Sequence, residues 1–247
     1  MIPFPLARLL FAVAALFVAH GVTAASAEVE FRQVRIGEAV GSLPPGWTTL
    51  GPEIPVWLHL HGAPAVVEKN FAAIGAPGVL INVTRPGLSK VYADYFAAPD
   101  RWENLLRETE SVLRRESPSQ PWKIGRLTVS SFSAGFGGVR QLLRQPAAFD
   151  QIATLVMVDS IYCGYVGDAA DKRVDPELMA GFLRFARLAS EGRKRLLITH
   201  SVQVPEGYAS TTETADYLIR QLAARRTWKI RLGGDFPKFF RRREAQL

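Results

Sequence analysis

The sequence predicts an α/β protein: a mostly parallel, doubly wound sheet with helices on both faces and small antiparallel strands at its N-terminal start. Short apolar runs carry that expectation, at residues 55–62, 79–83 and 152–158, the first of them bounded by Pro and Gly. Runs of this length and make-up read as strands buried in a parallel sheet rather than as helices. Stretches of helical spacing lie between them, and strand–helix alternation is what a parallel sheet requires. The remaining support is residues 126–143, which read as an apolar strand, an abrupt turn of small residues and a helix.

Before the sheet, residues 1–27 read as a secretory leader: Arg8 supplies the positive start, Leu9 to Val18 an apolar core, and Ala25-Ser26-Ala27 a small-residue cleavage site. The apolar run is short for a membrane span, although an uncleaved anchor stays open. Residues 28–247 then suit a single domain with a full core, secreted or periplasmic. The formal net charge of +7 is dispersed except for the basic run Lys238 to Arg243, so nucleic acid is not expected as a partner. Cys163 is the one cysteine in the chain, which excludes an intrachain disulfide.

In chain order, residues 28–36 alternate polar and apolar side chains and read as an edge strand. Leu43-Pro44-Pro45-Gly46-Trp47 is a turn. The strand at 55–62 carries His59 and His61, two apart and so on one face. A His-x-His metal pair is the rival reading, and it lacks a clustered third ligand. A helix is expected over 64–74, a buried strand over 79–83, and a loop over 88–98 whose Tyr92, Tyr95 and Phe96 either line a pocket or pack. Asn82-Val83-Thr84 matches a glycosylation sequon that a buried strand would hide. A helix over 99–115 uses Trp102, Leu105, Leu106, Val112 and Leu113. Past the middle, residues 152–158 end at Asp159. A long loop over 161–176 is expected as a small cap, then a helix with Leu178, Phe182, Phe185 and Leu188 inward. The strand at 195–201 ends at His200, a helix starts near Thr211, and residues 227–232 are a possible last strand.

The turn Ser131-Phe132-Ser133-Ala134-Gly135 places one serine between a strand end and a helix start, with small residues two before and two after. That geometry pushes a nucleophile onto a sharp elbow. A Gly-rich turn that only packs a helix on a sheet is the plainer alternative. A phosphate loop fits poorly, because the spacing matches neither dinucleotide nor P-loop patterns.

Extended to Phe136-Gly137-Gly138, the turn resembles the nucleophile elbow of the α/β-hydrolase family, Gly-x-Ser-x-Gly, with Ser131 in the place of the first Gly. His61-Gly62-Ala63-Pro64 is similar to the family's His-Gly segment, which supplies the second oxyanion amide. The resemblance implies Ser133 as nucleophile, with the amides of Ala63 and Ala134 as oxyanion donors and His61 shaping the loop. Family order along the chain is Ser, then Asp or Glu, then His. Ser133, Asp159 and His200 keep it, with Glu206, Glu213 and Asp216 as alternative acids. The departure is that no histidine follows His200, where the family normally has its base after the last strand. The implied function is an exported serine hydrolase that cleaves carboxylic esters through an acyl-enzyme at Ser133. Its partner is a small-molecule ester, and no metal or organic cofactor is implied. A catalytically impaired or non-catalytic binding protein on the same scaffold stays open beside it.

Overall fold

The computed structural model describes residues 29–168 and 171–222. The leader at 1–27, the expected strand at 227–232 and the basic run at 238–243 lie outside the described residues. No helix among the described residues is long and apolar enough to cross a membrane.

Strands β1 (Arg32–Ile36) and β2 (Ala39–Leu43) make a tight antiparallel hairpin closed by the pair Ile36 and Ala39. Gly37 at its turn has φ of 56°, a conformation that glycine takes without steric cost. The other main strands are β3 (Glu53–Leu60), β4 (Val79–Val83), β5 (Lys123–Phe132), β6 (Ile152–Val158) and β9 (Arg195–Thr199). The sheet order is β1-β2-β4-β3-β5-β6-β9. Within this sheet, among the described residues, β1 with β2 and β2 with β4 pair antiparallel, and β4-β3-β5-β6-β9 are parallel throughout. The small antiparallel start and the parallel, doubly wound remainder both match the sequence expectation.

Burial explains why the strands read as they do. Every residue of β4 is buried, as are residues 127–131 of β5, so both faces of the central sheet are covered. Strand β3 differs from the expected doubly buried strand. Ile54, Val56, Leu58 and Leu60 are buried, while Pro55, Trp57 and His59 on the alternate face are half-buried. Along β9 the pattern alternates between exposed and half-buried.

Helix α1 (Pro64–Ala73) follows β3, with Pro in its first turn where no amide partner is needed. The expected loop at 88–98 is instead helix α2 (Ser89–Ala97). Pro86 and Gly87 made the stretch look like loop. Yet Tyr92, Tyr95 and Phe96 fall at i, i+3 and i+4, and all three are buried, so the aromatics mainly pack. Helix α3 (Arg101–Glu116) buries Trp102, Leu105, Val112 and Leu113. After β5 come a short 3₁₀ turn, Ser133–Gly135, then α4 (Phe136–Leu142) and α5 (Pro146–Gln151). The long loop after β6 carries the two-residue strands β7 (Tyr165–Val166) and β8 (Arg173–Val174). Asp175 then caps α6 (Pro176–Ser190) by accepting from the amides of Glu177 and Leu178. Its buried face is Met179, Phe182, Phe185 and Ala186, with Leu178 and Leu188 only partly buried; the core stripe lies slightly to one side of the expected one. Helix α7 (Thr211–Gln221) opens with a capping box between Ser210 and Glu213.

The winding reverses at β3. From β3 the chain steps outward to β4, then crosses back to β5 on the other side. In open α/β sheets the crevice beyond the strand carboxyl ends at such a switch point is where ligands bind. Here that crevice lies between residue 61 and residue 133.

Candidate active site

Strand register delivers the predicted residues together. Phe132 of β5 pairs with Val158 of β6, which pairs with Thr199 of β9. Ser133, Asp159 and His200 are each the next residue beyond that row, on three adjacent parallel strands. Strands are about 4.8 Å apart, so the backbones at Ser133 and His200 stand about 10 Å apart across Asp159. On the other side Leu60 pairs with Ser131, which brings His61 level with Phe132 and Gly62 level with Ser133.

Backbone strain gathers at these positions. Among the described residues, the non-glycine residues with positive φ are His61 at 70°, Asp100 at 56°, Ser133 at 43° and Asp159 at 44°. All but Asp100 belong to this cluster. A left-handed residue with a Cβ costs on the order of 1 kcal/mol or more and persists only where its surroundings hold it. What holds Ser133 is close packing and a hydroxyl chain. A Cβ on Gly135 would stand 2.3 Å from the Leu60 carbonyl oxygen and 2.9 Å from the Ser131 Cβ, so the elbow tolerates only glycine there. A Cβ on Gly137 would meet the Ser89 carbonyl oxygen at 2.0 Å, so α4 and α2 approach backbone to backbone. Ser160 donates to the Ser133 carbonyl at 2.9 Å, and Ser131 lies 2.7 Å from the Ser160 hydroxyl. A hydroxyl carries one proton, so Ser131 donates to Ser160. Serine in place of the family's first Gly therefore joins the scaffold of the elbow.

The loop His61-Gly62-Ala63 rests on a polar row in which Asn82 and Ser130 are buried and His59 is half-buried. Asn82, His59 and Ser130 are register partners across β4, β3 and β5. His59 Nε2 lies 3.1 Å from the His61 carbonyl and its Nδ1 lies 2.8 Å from Ser130 Oγ. A carbonyl only accepts, so Nε2 carries the proton and Nδ1 accepts from Ser130. The Gly62 carbonyl accepts from Asn82 Nδ2 at 3.2 Å and from Thr84 Oγ1 at 2.6 Å. The peptide is trans, so the Ala63 N–H points the opposite way from that carbonyl. Asn82 is 1% exposed, which hides the glycosylation sequon as expected.

Burial pushes the His59 pKa down from 6.5 to about 4, against the opposing pull of the His61 carbonyl. The unfolded chain takes up this proton near pH 6.5 and the folded one only near pH 4. Between those values the unfolded state holds more protons, so stability is full above about 6.5 and falls as pH drops towards 4. At about 1.4 kcal/mol per unit, the whole window amounts to roughly 3 kcal/mol. Denaturant melts across this window are expected to show that slope, and His59→Gln to flatten it; equal slopes in the two proteins would contradict the assignment.

His61 is half-buried, with its Nδ1 2.9 Å from the Tyr92 hydroxyl. Tyr92 accepts from the Arg85 amide at 3.0 Å and donates to the Arg85 carbonyl at 3.1 Å. The single phenol proton is thereby used, and His61 Nδ1–H is the donor to Tyr92. The His61 ring stacks on exposed Phe132, centroids 6.2 Å apart, and burial lowers its pKa.

Asp159 and His200 do not bond to each other. Asp159 Oδ1 accepts from the Ser201 amide at 2.9 Å and from the Thr211 hydroxyl, and Oδ2 accepts from the Tyr162 hydroxyl at 3.2 Å. Burial first, then the Asp159 charge, drive the Tyr162 pKa up. His200 Nδ1 lies 2.9 Å from Thr212 Oγ1, and that hydroxyl donates to the Ser201 carbonyl at 3.0 Å. Asp159 thus clamps Ser201, next to His200, and Thr211, next to Thr212, while His200 meets Thr212. Among the described residues no hydrogen bond joins the Ser133 hydroxyl to a histidine.

Of the alternative acids, Glu213 is committed to the helix cap. It accepts from the Ser210 amide at 2.8 Å and hydroxyl at 2.7 Å, and from Tyr165 at 2.9 Å. Burial alone would raise its pKa, but these bonds outweigh it and the pKa is lowered. Asp216 lies along α7 and Glu206 in the exposed loop before it. Among the described residues no three His, Cys, Asp or Glu side chains group in a metal-holding arrangement. Cys163 is buried.

Sequence reasoning missed Ser160, Tyr162, Thr211, Thr212 and the row Asn82–His59–Ser130. The readable signal for the threonines was the Ser-x-x-Glu capping box at 210–213, which announces a helix start at Thr211.

No protein-family model matches the chain, and no curated protein matches it. Solved structures do resemble it. They include an acylaminoacyl peptidase of Pyrococcus horikoshii, at 15% identity over 54% of this chain and 23% of that one, with a TM-score of 0.34. A thermostable esterase from Pseudomonas putida matches at 14% identity over 66% and 52%, with a TM-score of 0.37. The Cif epoxide hydrolase from Acinetobacter nosocomialis matches at 14% over 78% and 58%, with a TM-score of 0.32. The chain thus spans between 23% and 58% of the length of these structures. Likeness this distant carries no argument by itself. The left-handed serine after β5 and the His-Gly loop after β3 agree with the α/β-hydrolase resemblance read from the sequence.

Proposed function

We propose that the protein is an exported serine hydrolase that cleaves carboxylic esters through an acyl-enzyme at Ser133. The observation that carries this reading is the left-handed Ser133, strained at the topological switch point. An elbow that only packs a helix has no need of a Cβ at φ of 43°; glycine would serve there at lower cost.

In the proposed reaction Ser133 Oγ attacks the ester carbonyl carbon and its proton passes to His200. The carbonyl oxygen becomes an oxyanion held by the Ala63 and Ala134 amides. Collapse breaks the acyl–oxygen bond, and the leaving alkoxide takes the proton from His200. Water then adds to the acyl-enzyme by the same route, releasing the acid and restoring Ser133. Asp159 serves as the acid of the site by fixing the segments that carry the base. Residues 1–27 direct export.

A non-catalytic binding protein is the second reading, favoured by the absence of a bond between Asp159 and His200. The two separate in a rapid-mixing experiment with an activated ester. The hydrolase reading expects a burst of alcohol equal to the protein concentration, absent in Ser133→Ala. Turnover that survives Ser133→Ala unchanged would overturn it.

A further inference from the structure

We propose that Thr212 is the positioning residue for His200: its hydroxyl holds Nδ1–H and leaves Nε2 as the basic nitrogen, the task a carboxylate has in the family. The assignment of Nε2 as catalytic base rests on the serine hydrolase reading; the tautomer itself does not.

The geometry decides the protons. Thr212 Oγ1 is 3.0 Å from the Ser201 carbonyl and 2.9 Å from His200 Nδ1. The carbonyl accepts only, so the threonine proton goes there. The second contact is a hydrogen bond only if His200 Nδ1 donates. A neutral imidazole has one N–H, so Nε2 is bare. Free histidine in water prefers the opposite tautomer, with the proton on Nε2, so the threonine reverses a natural bias.

Two of the candidate carboxylates are engaged elsewhere. Asp159 accepts from Ser201, Thr211 and Tyr162, and Glu213 from Ser210 and Tyr165. Asp159 acts one residue away on each side, fixing Ser201 beside His200 and Thr211 beside Thr212. Thr212 lies in the first turn of α7, whose frame is set by the capping box, so its hydroxyl is presented from a rigid element. A hydroxyl orients the ring but adds no formal charge to stabilise the imidazolium. The proposed site is accordingly a slower catalyst than one with a carboxylate in this place.

The test measures imidazole nitrogen shifts of His200 by NMR in the whole protein, above the histidine titration range. Beside it runs the rate of labelling by a fluorophosphonate. Wild type is expected to show the Nδ1–H tautomer. Thr212→Val, which keeps the shape and removes the hydroxyl, is expected to shift His200 towards the Nε2–H form and slow labelling about tenfold, the worth of one hydrogen bond. Thr212→Ser should restore both. A purely structural threonine would change the melting temperature without moving the tautomer. An Nε2–H tautomer in wild type, or an unchanged tautomer in Thr212→Val, overturns the proposal. Absence of labelling in wild type, with the tautomer responding as described, supports the Thr212 assignment and removes the hydrolase reading instead.

Discussion

Ser133→Ala is expected to abolish labelling by a fluorophosphonate and to lower ester hydrolysis by a factor on the order of 10⁴–10⁶, the loss that follows removal of a serine nucleophile. The remaining rate would come from the oxyanion amides and from holding the substrate, which the substitution leaves in place. The same position offers an independent check of the strain argument. Alanine keeps its Cβ at φ of 43°, so Ser133→Ala retains the unfavourable backbone. Ser133→Gly relieves it, and should be more stable than Ser133→Ala by about 1 kcal/mol, although both are inactive. Thermal melts of the two variants measure that difference; equal stability would mean that the elbow is not strained.

His200→Ala is expected to slow labelling and hydrolysis by about 10²–10⁴, the usual worth of a general base. The control is His61, which the same tautomer reasoning leaves with a bare Nε2 on the opposite side of Ser133. Asparagine tolerates a left-handed backbone, so His61→Asn keeps the loop at φ of 70° while removing the imidazole. We expect His61→Asn to retain most of the activity. Loss in His61→Asn with retention in His200→Ala would move the base to the loop after β3. Such a site would draw both its base and one oxyanion donor from a single turn.

The predictions depend on features of very different legibility in the sequence. Strand β4 was readable residue for residue, because four of the five side chains between Gly78 and Thr84 are apolar and Asn82 alone interrupts them. The elbow was readable because Ser131, Ser133 and Gly135 are small in a place where the chain reverses, and the contact between Gly135 and Leu60 shows why. Helix α2 was hidden by Pro86 and Gly87, although its aromatics already had helical spacing. The polar row under the His61-Gly62-Ala63 loop was out of reach for another reason. Asn82, His59 and Ser130 look like stray polar residues in apolar strands. Only strand register, between positions 71 residues apart for His59 and Ser130, makes them one network. Thr212 was obscured in the same way: on its own it is a helix-start residue, and its role depends on where β9 delivers His200. The order Ser133, Asp159, His200 was what the family resemblance implied, and the register places the three side by side. Which side chain bonds to which was set by the first turn of α7, whose tertiary placement no local pattern reveals.

Of all measurements, the most direct is the reaction of the purified wild-type protein with a fluorophosphonate, followed by peptide mapping. The account predicts one phosphonyl group per chain, attached to Ser133 and lost on heat unfolding before treatment. Folded protein that takes up no label, or takes it up at a serine other than Ser133, would contradict the claim that the elbow carries an activated nucleophile.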